Sequence, residues 1–215
     1  MTTLEILQAD YNTLSRTVVL LSKTLRRFLQ VFKSHLLSTF YPHKKTFYMT
    51  FISHYNSPLG GITLAATNDR LCGLWFDGQK YFGSTLQEET EEEETPVLCQ
   101  TRQWLDLYFS GKEPGFLPQL YLDGTPFQQT VWNILSSIPY GKALTYKEIA
   151  AETAHRLGRP HMAAQAVGNA IGHNPISILI PCHRVVGTNG SLTGYAGGTE
   201  RKLALLQIEH TPYYI

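Results

Sequence analysis

Residues 49–76 are cut into three short apolar runs, 49–55, 61–66 and 71–76, by two turn signals. Ser57-Pro58-Leu59-Gly60-Gly61 separates the first two runs, and Asn68-Asp69 separates the last two. Glycine supplies positive φ, proline presets a turn dihedral, and Asn and Asp tolerate left-handed backbone, so each junction reverses the chain. The spacing predicts a small antiparallel sheet. Residues 95–110 then change to helical periodicity through Val97, Leu98, Trp104, Leu105, Leu107 and Tyr108, ending at Gly111. A linker rich in Pro and Gly follows to about residue 126.

The remainder is mostly helical. Residues 126–137 predict a helix with Phe127, Val131, Trp132, Ile134 and Leu135 on its inner side, broken by Pro139-Tyr140-Gly141. Thr145 and Glu148 form a capping-box pattern that starts another helix, through about residue 155. After the turn Gly158-Arg159-Pro160, residues 161–171 predict a further helix, stopped by Gly172 and Pro175. Two helices joined this way read as a helix-turn-helix or as an ordinary αα-hairpin. The second carries Ala163, Ala164, Ala166, Gly168 and Ala170. Such small side chains read few base edges in a major groove. They suit either tight helix packing or close, sequence-independent contact with a DNA groove.

Charge separates the chain into unequal parts. Residues 1–46 hold seven Lys/Arg against two acids, residues 47–122 four against ten, and residues 123–215 seven against five. The acids gather at Glu88, Glu89, Glu91, Glu92, Glu93 and Glu94, which predict a solvated loop that repels phosphate. Net charge is only +1, so composition by itself announces no nucleic-acid partner. Cys72, Cys99 and Cys182 are far apart and form no C-x-x-C pair, which argues against a disulfide framework and a multi-cysteine zinc site. They favour a reducing, cytoplasmic setting. No apolar run approaches the roughly 20 residues that span a membrane. Residues 14–37 have apolar positions at helical spacing with basic residues between them. This leader, residues 1–47, could dock on the protein, lie on an anionic surface or act in targeting, or the protein could start at Met49.

The chemistry concentrates at Cys182. The apolar run 176–180 predicts a buried strand or extended segment leading into Pro181-Cys182-His183-Arg184-Val185-Val186. A glycine-rich stretch follows at Gly187, Gly190, Gly194, Gly197 and Gly198, and a final helix spans about 199–209. A lone cysteine after an apolar run is more often core than nucleophile. Here Pro181 stops regular pairing, two nitrogen bases adjoin, and glycine allows backbone to approach a ligand. The thiolate is the reactive form, and a nearby imidazole raises its share. In extended chain neighbouring residues face opposite ways, so His183 is expected to act through a water, with Glu209 holding its second nitrogen.

The stretch Pro181-Cys182-His183-Arg184-Val185-Val186 resembles the active-site motif of the alkylguanine-DNA alkyltransferases. Gly124-Thr125-Pro126-Phe127-Gln128, Val131-Trp132, Ile138-Pro139-Tyr140-Gly141, Ala166-Val167-Gly168, Asn174-Pro175 and Gly194-Tyr195-Ala196-Gly197-Gly198 resemble the same family in order, as does Ser57-Pro58-Leu59-Gly60. The resemblance covers about residues 49–210. It implies an α+β chain: a ribonuclease-H-like sheet domain over 48–122, then a mostly helical domain with a helix-turn-helix over 123–215. It implies a monomer that binds double-stranded DNA through the minor groove and accepts a flipped 6-O-alkylguanine (4-O-alkylthymine being a second substrate to consider). It also implies irreversible transfer of the alkyl group to Cys182, without metal or cofactor.

Roles carry over by position. Cys182 is the acceptor, His183 a water-mediated base oriented by Glu209, and Asn174 a brace for the turn. Tyr146 donates to the leaving guanine, while Lys202 and Tyr195 support its pocket. Carbonyls of Cys182 and Val185 take the guanine amine, and the Ala196 N–H takes its oxygen. Ala163, Gln165, Ala166 and Gly168 face DNA. Two departures from the family pattern stand out. Gln165 occupies the position of the usual arginine that fills the gap left by the base. The stretch from Tyr146 to Pro160 is also about one helical turn longer than usual. Three rival readings remain at this stage: a non-catalytic binder of damaged DNA, a cysteine hydrolase and a transcription regulator.

Overall fold

A computed structural model describes residue 25 and residues 49–87 and 90–212. The amphipathic leader and the acids Glu88 and Glu89 lie outside the described residues.

Strands β1 (Thr50–Ser57), β2 (Gly60–Thr67) and β3 (Arg70–Phe76) form the expected antiparallel meander. The β2–β3 hairpin places Asn68 at φ 49° and Asp69 at φ 53°, the paired left-handed geometry that suits the twist of the strands. The sheet has a fourth strand that the sequence reading missed. β4 (Thr90–Glu92) pairs parallel to β1, giving the order β3-β2-β1-β4. Part of the acidic run is therefore an edge strand rather than a loop. An edge tolerates its charges because one side remains in solvent. Glu94 just beyond it accepts from the Ser53 hydroxyl at 2.6 Å and from Arg102 at 2.5 Å.

Helix α1 (Pro96–Phe109) lays Val97, Leu98, Thr101, Trp104, Leu105 and Tyr108 inward, matching its predicted periodicity. Helix α2 (Pro126–Ser136) starts with a capping box in which Thr125 and Gln128 satisfy each other's backbone N–H. Helix α3 (Tyr146–Arg156) has the predicted Thr145–Glu148 box. Helix α4 starts later than predicted, at Ala164, and runs to Gly172. His161 and Met162 belong to the connection after α3, and Ala163 is a cap whose side chain makes no capping bond. Helix α5 (Thr199–Ile208) closes the described chain.

One apolar core runs from the sheet into the helices, joining Leu64, Leu74 and Phe76 to Leu98, Leu105, Val131, Leu135, Ile149, Val167 and Leu205. The free edge of β3 carries the site. Leu71 exchanges backbone hydrogen bonds with Gln119 and Tyr121. Leu74 accepts from the Ser177 N–H at 2.9 Å and donates to the Pro175 carbonyl at 2.9 Å. Residues 176–180 are all buried, as the apolar run requires, but they do not form the expected strand or extended segment. They make a single bridge at Ile176 and then turn, with Ile178 at φ 68°. Short turn bonds such as Leu179 N–H to the Ser177 carbonyl at 2.8 Å satisfy part of the backbone.

Trp132 ties α2 to α4 by donating from Nε1 to the Ala170 carbonyl at 2.9 Å, and its side chain is only 2% exposed. Trp132→Phe removes this bond and part of the packing. It should lower the free energy of urea unfolding by about 1–3 kcal/mol with the slope unchanged.

Candidate active site

Cys182 sits where the turning segment 176–180 ends. Cys182–Arg184 form one 3-10 turn, correcting the extended conformation expected from sequence, and β6 (Val185–Val186) follows, pairing parallel with β5 (Leu144–Thr145). The turn directs Cys182, His183 and Arg184 all into the interior.

Asn174 makes this geometry rigid. Its Nδ2 donates to the Ile180 carbonyl at 2.8 Å, to the Ile176 carbonyl at 3.2 Å and to Cys182 Sγ at 3.1 Å. Its Oδ1 accepts the Ile176 N–H at 3.0 Å. The residue expected to brace the turn therefore also touches the sulfur.

Behind the cysteine lies a buried polar cluster centred on Glu209, the cap residue of α5. His183 Nε2 is 2.7 Å from Glu209 Oε1, and Arg184 reaches both carboxylate oxygens, Nε at 2.8 Å and Nη2 at 3.0 Å. The Tyr108 hydroxyl, from α1, donates to Oε1 at 2.8 Å. Arg184 Nη1 also donates to the Ile138 carbonyl at 2.6 Å. The sequence placed Glu209 beside His183 but assigned no partner to Arg184 and only a core role to Tyr108. The helical periodicity around Tyr108 marked it as inward-facing, but nothing local could reveal a carboxylate about a hundred residues away.

The electrostatics assign protons. Burial alone would raise Glu209, yet the hydrogen bonds and charges of His183 and Arg184 hold its carboxyl down at about 2, so it is ionised. Burial lowers His183 against the pull of Glu209, and Arg184 and Lys202 push the same way, so the imidazole is neutral at pH 7. A carboxylate only accepts, so the proton of neutral His183 sits on Nε2. Nδ1 is buried with no hydrogen-bond partner among the described residues, and it carries a basic lone pair.

Cys182 itself is pushed up by burial, opposed by the Asn174 hydrogen bond and the Lys202 charge. The resting group is therefore the thiol, and a base is needed to make it a nucleophile. Lys202 is fully buried, and its ammonium donates to the Val185 carbonyl at 2.5 Å and the Thr193 carbonyl at 2.9 Å. Burial brings it down to about 8, so it keeps its charge at neutral pH.

The other predicted residues fall around this centre. The Tyr146 hydroxyl donates to the Thr193 carbonyl at 3.1 Å, and burial pushes it up to about 12, so it stays a donor. Gly194 (φ 80°) is required here, since a Cβ would lie 2.6 Å from that hydroxyl. Tyr195 is buried, and the Ala196 carbonyl accepts the Lys80 N–H at 3.0 Å, which ties the glycine-rich loop to the segment after β3. Ala163, the cap of α4, is exposed, as are Gln165 and Ala166 on the helix, and Gly168 is half-buried against the Tyr146 ring. The exposed helix face and the cysteine thus belong to adjoining elements linked by Asn174. Among the described residues no three His, Cys, Asp or Glu side chains converge as a metal site would require, and no helix is long and apolar enough to cross a membrane.

Comparison with known proteins gives consistent findings. Residues 126–211 match the family described as 6-O-methylguanine DNA methyltransferase, DNA binding domain, and residues 50–117 match its ribonuclease-like domain. The chain is similar to the constitutive methylated-DNA–protein-cysteine methyltransferase of Bacillus subtilis, 42% identical over 168 residues, covering 77% of this chain and 98% of that one. It is similar to the methylated-DNA–protein-cysteine methyltransferase of Mycobacterium tuberculosis, 44% identical over 162 residues, covering 73% and 92%. A crystal structure of a Mycobacterium tuberculosis relative in complex with DNA superposes with a TM-score of 0.64 at 41% identity, covering 76% of this chain and 95% of that one.

Glu209→Gln leaves Arg184 buried without its carboxylate and should cost about 3–5 kcal/mol of stability at neutral pH. In the native chain Glu209 is depressed from an ordinary value of 4.5 to about 2. Its contribution is complete above about 4.5 and declines as pH falls towards 2. The gap in urea-unfolding free energy between the native chain and the variant should therefore narrow from about pH 5 to about pH 3. A constant gap over that interval contradicts the assignment.

Proposed function

The chain belongs to the 6-O-methylguanine DNA methyltransferase family, and from that premise we propose the roles of its residues. The protein is a DNA repair transferase that moves methyl or other alkyl groups from 6-O-alkylguanine in DNA to its own cysteine, once per molecule. Cys182 is the acceptor. What carries this reading is the cysteine's setting: a buried thiol hydrogen-bonded by Asn174 beside a neutral histidine whose Nε2–H donates to the Glu209 carboxylate.

The flipped guanine enters beside Cys182. His183 Nδ1, through one water, takes the thiol proton, and the Glu209 carboxylate stabilises the imidazolium that forms. Lys202 stabilises the thiolate by charge. Sulfur attacks the alkyl carbon, a C–S bond forms and the C–O6 bond breaks, with its electron pair left on guanine. The Tyr146 hydroxyl supplies a hydrogen bond to the leaving base, which recovers a proton as it departs. Carbonyls of Cys182 and Val185 and the N–H of Ala196 align the purine, and Tyr195 and Lys202 support that pocket. The thioether is stable, so the cysteine is not regenerated.

α3 and α4 form the helix-turn-helix, and Ala163, Gln165, Ala166 and Gly168 form its minor-groove face. Gln165 enters the gap left by the base without bringing charge there. The division into a sheet domain over 48–122 and a transferase domain over 123–215, the monomeric state, action on 4-O-alkylthymine and a cytoplasmic location belong to the same proposal.

Incubation with duplex DNA containing 6-O-methylguanine, followed by mass analysis of the peptide holding Cys182, should show the gain of one methyl group. The Cys182→Ala variant should gain none. Repeated release of product with unmodified Cys182 would favour a hydrolase instead.

A further inference from the structure

Helix α4 has the sequence AQAVGNAIG and carries no lysine or arginine. A duplex lying on its exposed alanines meets no cation there, yet neutralised phosphates supply most of the affinity of sequence-independent DNA binding. Lys147 of α3 and Arg159 of the connection between α3 and α4 provide cations next to that face. A cavity of about 450 Å³ lies between α3 and this connection, bordered by Lys147, His155, Arg159 and His161 and floored by alanines of α3. Among the described residues no carboxylate lines it, and Ala164, the first residue of α4, forms part of its wall. The four polar side chains on its border are exposed. Arg156, on the same helix, is engaged by Glu152 at 2.7 Å and is not part of the border.

We propose that this groove holds the phosphodiester backbone of one strand of the duplex seated on α4, with Lys147 and Arg159 neutralising phosphates and His155 and His161 hydrogen-bonding them. Two observations select this occupant. The border is basic and imidazole-rich without a counter-charge, which matches a polyanion. The groove is also continuous with the DNA-facing helix through Ala164. Lys147 of α3 and Arg159 of the connection thereby supply the charge that α4, with Gln165, does not.

The inference rests on α4 facing DNA, so the test includes both surfaces. Binding of a fluorescent undamaged duplex is measured by anisotropy across a salt series for the native chain, Lys147→Ala/Arg159→Ala, Lys147→Arg/Arg159→Lys and Ala166→Asp. Thermal midpoints check that each variant is folded. The double alanine variant should bind on the order of ten-fold or more weakly near 0.1 M salt. Its slope of log affinity against log salt should be shallower by about 1.8, two phosphate contacts at 0.9 each. The charge-conserving pair should keep the native slope, and Ala166→Asp should lose affinity. An unchanged slope in the double alanine variant, with Ala166→Asp weakened, overturns the groove and leaves α4 as the DNA face. Unchanged binding in both overturns the groove and the α4 reading together.

Discussion

One carboxylate organises this molecule. Glu209 stands at the end of α5 and receives His183 and Arg184 from the active-site turn and Tyr108 from α1, all in the protein interior. A lone buried carboxylate would be forced to protonate, but four donor contacts keep it charged. Ion pairs buried this deeply are seldom the cheapest way to hold a core together. Their presence here is explained by what the charge does to its neighbours: it fixes the tautomer of His183 and restrains Arg184 in the turn that holds Cys182.

The consequence is a site whose parts are set against one another. Burial keeps Cys182 as a thiol and His183 as a neutral base. Neither group is charged at rest, so in the proposed reaction the thiolate forms only when the proton moves. Lys202 waits nearby with a charge that favours thiolate, held by two backbone carbonyls. For a protein that spends its cysteine on a single event, a quiet thiol is the better resting state. A freely exposed thiolate would react with any passing electrophile. The sheet contributes by fixing position: the edge of β3 bonds the segment that leads into Asn174 and Cys182, and Lys80 bonds the glycine-rich loop.

Much of this was legible in the sequence. Turn chemistry and short apolar runs gave the three-stranded meander, and the Thr145-x-x-Glu148 pattern marked a helix start that the structure realises as a capping box, while the second box, Thr125 with Gln128, emerged only in the structure. Cys182, His183, Glu209 and Asn174 do come together. The misses have physical causes. Thr90–Glu92 forms a strand because it needs only to pair with β1 at an edge, where its acids remain wet, and charge runs alone cannot announce that. Residues 176–180 are as buried as a strand, but their backbone is satisfied by turns and by Asn174, a long-range arrangement invisible to periodicity. Tyr108 and Arg184 joined the site only once the fold brought α1 against α5. The late start of α4 at Ala164 follows from a longer connection, whose residues build the groove beside it.

The proposed chemistry depends on the protonation of one imidazole. Nitrogen NMR of protein labelled with 15N-histidine reads both ring nitrogens of His183 directly. Between about pH 6 and about pH 8 the account predicts a neutral ring protonated on Nε2 and bare on Nδ1, with Glu209→Gln weakening that preference. An imidazolium at neutral pH, or a ring protonated on Nδ1 instead, would leave the thiol without its base and contradict the account.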